Sequence, residues 1–135
     1  MGTWSHEPFG NDAANDWAYG LEDGDGMALV EEALDKVLEA GDDYVDAGDA
    51  EEAVAAIEVL AKLLGKGTQS DSYTKRVDAW VAAHPGAPSP ALRQKARGVL
   101  ARIAGADSEL AELWDEGDDA AAWRASLAAL QRALG

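Results

Sequence analysis

The chain has 135 residues, the size of one ordinary domain, and a net charge of −15. It has no cysteine, which excludes disulfides, thiolate metal sites and cysteine nucleophiles. No basic segment followed by an apolar run opens it and no apolar stretch is long enough to cross a bilayer, so a cytoplasmic protein off the membrane is expected.

Residues 1–10 are irregular but carry Trp4 and Phe9, which tie such a segment down on a core. Asn11 or Asp12 caps a first helix with Ala13, Ala14, Trp17 and Leu21 along one side. Asp25 caps a second, whose stripe is Met27, Leu29, Val30, Ala33, Leu34, Val37 and Leu38, and Gly41 ends it. A short acidic connection, residues 42–48, leads to the helix that organises the chain, residues 49–64. Asp49 and Glu52 read there as a capping box and Gly65 as the left-handed stop. That helix is apolar over most of its circumference, so neighbours must pack all round it; Glu58 and Lys62 form its narrow polar stripe and pair on the surface.

After a loop at 65–70, Asp71 or Ser72 begins a helix that buries Tyr73, Val77, Trp80 and Val81 and stops before His84-Pro85-Gly86. Ser89 caps the next helix with Pro90 at its first position, burying Leu92, Ala96, Val99, Leu100 and Ile103. Ser108 opens a short helix carrying Leu110, Leu113 and Trp114, and a last helix carries Trp123, Leu127, Leu130 and Leu134. Strict alternation is absent and β-branched residues are few. The expected fold is therefore all-α: a single-domain bundle of six to seven helices spanning 1–135 around a buried central helix.

Met1-Gly2-Thr3-Trp4, Phe9, Asn11 to Ala14 and Asp16-Trp17 resemble a small bacterial family, domain of unknown function 4259. Ala53 to Leu64, Trp80 to Gly86, Ser108 to Trp114 and Trp123-Arg124 are similar as well, so the resemblance covers nearly the whole chain. It implies a bacterial, cytoplasmic, single-domain protein and brings no activity with it. Where that family usually has a small, glycine-containing tripeptide after Trp4, this chain has Ser5-His6-Glu7, which adds a titratable pair.

Chemistry-bearing patterns mostly fail on spacing. An EF-hand loop started at Asp23 puts Met27 and Leu34 at ligand positions and Ala28 at the glycine, and one started at Asp42 puts Tyr44 and Ala47 where a ligand and glycine belong. Neither His6 nor His84 follows a glutamate by three residues, as a helical di-iron site requires, and two distant histidines make a poor zinc set. No metal or other cofactor is expected. Gly65-Lys66-Gly67-Thr68 lacks the first glycine of a phosphate loop and follows a helix. Ser5-His6-Glu7 has the letters of a relay, but neighbours in an extended segment alternate in direction. His84 is expected to close its helix.

What remains is charge. Residues 1–70 hold 17 of the 26 acidic residues and 3 of the 11 basic ones, −14 of the net charge, against −1 for residues 71–135. That field repels nucleic acid and attracts a basic protein, although acidity also promotes solubility with no partner. The first expectation is a protein-binding module, an immunity protein in its concrete form, using Asp42, Asp43, Asp46, Asp49 and Glu51 with Tyr44 as anchor. The alternative is a small enzyme or ligand-binding protein with an N-terminal acidic pocket of His6, Glu7, Asp12 and Asp16. A monomer and a homodimer are both compatible with the sequence.

Overall fold

Side-chain caps fix where the helices start. In the computed structural model, which describes residues 2–135, Asn11 accepts from Ala14 N at 2.8 Å and opens α1 (Asp12–Ala18), which runs on into a 3-10 turn, Tyr19–Leu21. Asp25 does the same for Ala28 N and opens α2 (Gly26–Glu39). Ser89, with Pro90 at the first helical position, opens α5 (Pro90–Ala104), Ser108 opens α6 (Glu109–Asp115), and α7 is Ala120–Leu134. Gly65, at φ 75°, follows the last turn of the central helix in the left-handed conformation that only glycine adopts freely.

Two starts differ from the sequence reading. The central helix, α3, is Ala47–Leu63, and its cap is Asp46, which accepts from Asp49 N at 3.2 Å; Asp49 therefore lies in the first turn. Helix α4 is Lys75–Ala83, because Asp71 and Thr74 bond each other in a turn before it: Asp71 N donates to Thr74 Oγ1 and Tyr73 N to Asp71 Oδ1. That turn leaves Tyr73 half exposed instead of buried. His84 closes α4 as expected, its Nδ1 2.8 Å from Trp80 O and its ring stacked on Trp80 at 4.5 Å.

Helix α3 packs against all six other α-helices. Ala50 and residues 53–61 are buried, and the run of alanines (Ala50, Ala53, Ala55, Ala56, Ala61) lets neighbouring backbones close in on every side. Ile57 and Leu60 are enclosed completely, each worth about 1.5–3 kcal/mol. Leu38 and Leu113, read as inward, are exposed. Among the described residues there is no strand, only isolated bridges of Thr3 with Asn11 and Val45 with Ser108.

Glu58 is also fully buried, which overturns its reading as surface stripe. The loop after α3 folds back over it: its carboxylate accepts from Thr68 N and Gln69 N at 2.8 Å and from Thr68 Oγ1 at 2.7 Å. Lys62 lies 3.7 Å away, 2.7 Å from Asp78, and donates to Gln69 O. Gln69 Oε1 accepts from Phe9 N at 2.8 Å, so one buried polar network ties α3, the loop and the N-terminal segment together. Phe9 and Trp17 enter the core; Trp4, read with Phe9 as tying the terminus down on it, stays 45% exposed and lies against Tyr73.

Candidate functional site

The acidic connection between α2 and α3 is braced from the second half of the chain. Arg102 on α5 spreads its guanidinium over four carbonyls: Nε donates to Gly41 O, one terminal nitrogen to Ala106 O and the other to Asp43 O and Asp107 O. Val45 is clasped between residues 107 and 109, donating to Asp107 O at 2.8 Å while its carbonyl accepts from Glu109 N at 3.0 Å. Ala47 N, a first-turn donor of α3, donates to Glu109 Oε1 at 2.8 Å. The turn is held by its backbone, which frees its carboxylates.

Asp42, Asp43 and Asp46 are exposed and Asp49 and Glu51 partly so. Tyr44 is half exposed, and its hydroxyl donates to Glu112 Oε1 at 2.8 Å. That bond, with the charges of Glu112, Glu109 and Glu116, pushes the Tyr44 phenol up to about 12. Partial burial raises the Glu51 carboxyl; the Thr3 hydroxyl, 3.2 Å away, opposes this, and the nearby Asp46, Asp12 and Glu109 add to it. None of Asp42, Asp43, Asp46, Asp49, Glu51, Glu109, Glu112 and Glu116 forms an ion pair with a described residue. Among the described residues no group of three or more such side chains is placed to hold a metal ion.

Glu109 and Glu112 of α6, with Glu116 just after it, extend this face beyond the sequence reading. Their signal was present: Glu109, Glu112 and Glu116 are spaced to share one side of a helix, but they fall in a half whose net charge is only −1.

The four residues of the N-terminal pocket are not gathered round one cavity. His6 and Glu7 line a crevice of about 10 Å³ with Glu51, Trp114 and Trp123, room for a water molecule at most. Asp12 and Asp16 are exposed on α1 and do not line it. Ser5 Oγ accepts from Glu7 N at 3.2 Å, and the His6 carbonyl accepts from Ser126, so the segment is spent on holding itself to α7. Glu51 belongs both to the crevice and to the acidic face, which makes the two candidate sites neighbours.

Among curated proteins and among solved structures nothing matches this chain. The family model for the domain of unknown function DUF4259 matches residues 2–126. The chain belongs to the DUF4259 family.

Proposed function

We propose that the face formed by Asp42, Asp43, Tyr44, Asp46, Asp49 and Glu51 binds a basic protein, and that the protein neutralises this partner as an immunity protein neutralises a toxin. The supporting observation is the joining of this turn to Glu109, Glu112 and Glu116 with none of their carboxylates ion-paired to a described residue, the nearby Arg102 being spent on backbone carbonyls. Like charges held this close repel one another, and a Lys- or Arg-rich surface would relieve that repulsion on docking. Tyr44, apolar in body and polar at its tip, supplies the anchor such interfaces need. No helix of the described chain is long and apolar enough to cross a membrane. We place the protein in the bacterial cytoplasm, acting as a monomer or homodimer.

The test has two steps. A basic protein is captured from lysate of the source bacterium, purified, and its association with the wild type and an Asp42→Lys/Asp43→Lys/Asp46→Lys variant is followed by stopped flow. Slower association and a flatter salt dependence in the variant support the reading; equal rates remove this face as the docking site.

A further inference from the structure

The Trp80–His84–Pro85–Gly86 segment takes no part in the acidic face. Beyond α4 the chain runs through residues 85–88 and stands off from the loop before α2, leaving an open cleft of about 540 Å³. Met27, Leu63, Trp80, Pro85 and Pro88 supply its apolar lining. A second lobe of about 270 Å³, reaching Glu22 and Ala83, shares Gly24, Trp80 and His84 with it. The larger volume falls in the range of small-ligand sites, roughly 300–1,000 Å³.

The walls are fixed. A Cβ on Gly26 would lie 2.4 Å from a Trp80 ring carbon, so the indole sits directly on the first turn of α2. His84 is held by stacking on that indole and by its bond to Trp80 O; facing a carbonyl, Nδ1 must carry the hydrogen, which leaves Nε2 as the free nitrogen. Asp25 lines the opposite side. One of its oxygens accepts from Ala28 N in the first turn of α2, so its negative charge already stands at the positive end of that helix. No lysine or arginine is among the residues lining either lobe; Glu22 in the smaller one is already paired with Arg76 at 2.6 Å, which leaves Asp25 as the charge without an ion-pair partner.

We propose that this cleft binds an organic cation, an ammonium or guanidinium group on an apolar stem. The stem lies along Trp80, Met27 and the prolines; the head donates toward Asp25 and His84 Nε2. Charge complementarity selects this class, since an anion would meet Asp25 and a chain of net charge −15 with no basic side chain to receive it. The cation can be a free amine or a Lys or Arg side chain of a polypeptide. The site is at the other end of α2 from the acidic face, roughly 20 Å along the 14-residue helix, and does not depend on the binding role proposed above.

The test is an NMR titration of the ¹⁵N-labelled full chain with benzylammonium, N-acetyl-arginine amide, benzyl alcohol and benzoate. Saturable shifts of the Trp80 indole N–H and the Gly26 and Ala87 amides are expected with the cations, weaker ones with the alcohol and none with benzoate. Whichever cation binds more tightly identifies the source, free amine or peptide side chain. Asp25→Asn keeps the helix cap, because asparagine caps equally well, and is expected to weaken cation binding about threefold. Ala87→Leu, which fills the cleft from its exposed rim, is expected to abolish it. Benzoate binding as tightly as benzylammonium, no saturable shift with either cation, or an Asp25→Asn variant of unchanged affinity would each overturn the proposal.

Discussion

Glu58 gives up its hydration entirely and recovers it through Thr68, Gln69 and Lys62. Removing the acceptor strands the buried Gln69 N–H, releases both Thr68 donors and takes one partner from the nearly buried Lys62, so Glu58→Ala is expected to lower stability by about 3–5 kcal/mol in denaturant unfolding. Burial is the largest influence on this carboxyl and raises its pKa against the opposing hydrogen bonds and Lys62. A group raised in the folded state contributes stability below its unfolded pKa and loses that contribution as pH rises through the folded value. Acidification from neutral pH should therefore favour the wild type increasingly over Glu58→Gln; the opposite trend would contradict a buried, raised carboxyl. Tyr44 offers a second check: Glu112→Gln should return its phenol from about 12 toward the ordinary range in an NMR pH titration. The Glu58–Lys62 pairing was legible from spacing. Its burial was not, because helical periodicity carries no information about a loop that folds back over the helix.

At the scale of elements, the clasp between α6 and the start of α3 shapes the acidic face. Asp46 and Asp49 both have the character of a cap, and Asp49 with Glu52 fits the pattern better in sequence. Asp46 prevails because the bridge to Ser108 holds Val45 extended and Glu109 takes up the Ala47 amide, so the helix starts two residues earlier. Caps that depend on local chemistry alone, at Asp25, Ser89 and Ser108, were legible; a start decided by another element was not. Arg102 is the brace, and a lysine has too few fixed donors to replace its fork. Arg102→Lys is expected to raise hydrogen exchange of the Val45 and Ala47 amides about tenfold while leaving the α3 core amides unchanged. Equal protection in both proteins would show that the turn holds its shape without the guanidinium.

Over the whole molecule, the bundle around an alanine-rich central helix followed from hydrophobic patterning, since a helix apolar on every side has to be enclosed. The uneven charge was equally plain, but its location was only half legible: carboxylates of residues 42–51 meet Glu109, Glu112 and Glu116 across a tertiary contact that no count over sequence halves could detect. Acidic side chains also cover the outer side of α2 (Glu31, Glu32, Glu39), so solubility alone explains part of the charge; the braced turn beside α6 is what favours a docking role. The most direct measurement is the association rate of the purified basic partner at low and at high salt, with wild type and with the Asp42→Lys/Asp43→Lys/Asp46→Lys variant. A wild-type rate that falls steeply with salt, and a variant rate about tenfold lower at low salt and nearly independent of it, is the expected result. Identical rates and salt slopes for the two proteins would contradict a docking role for this face.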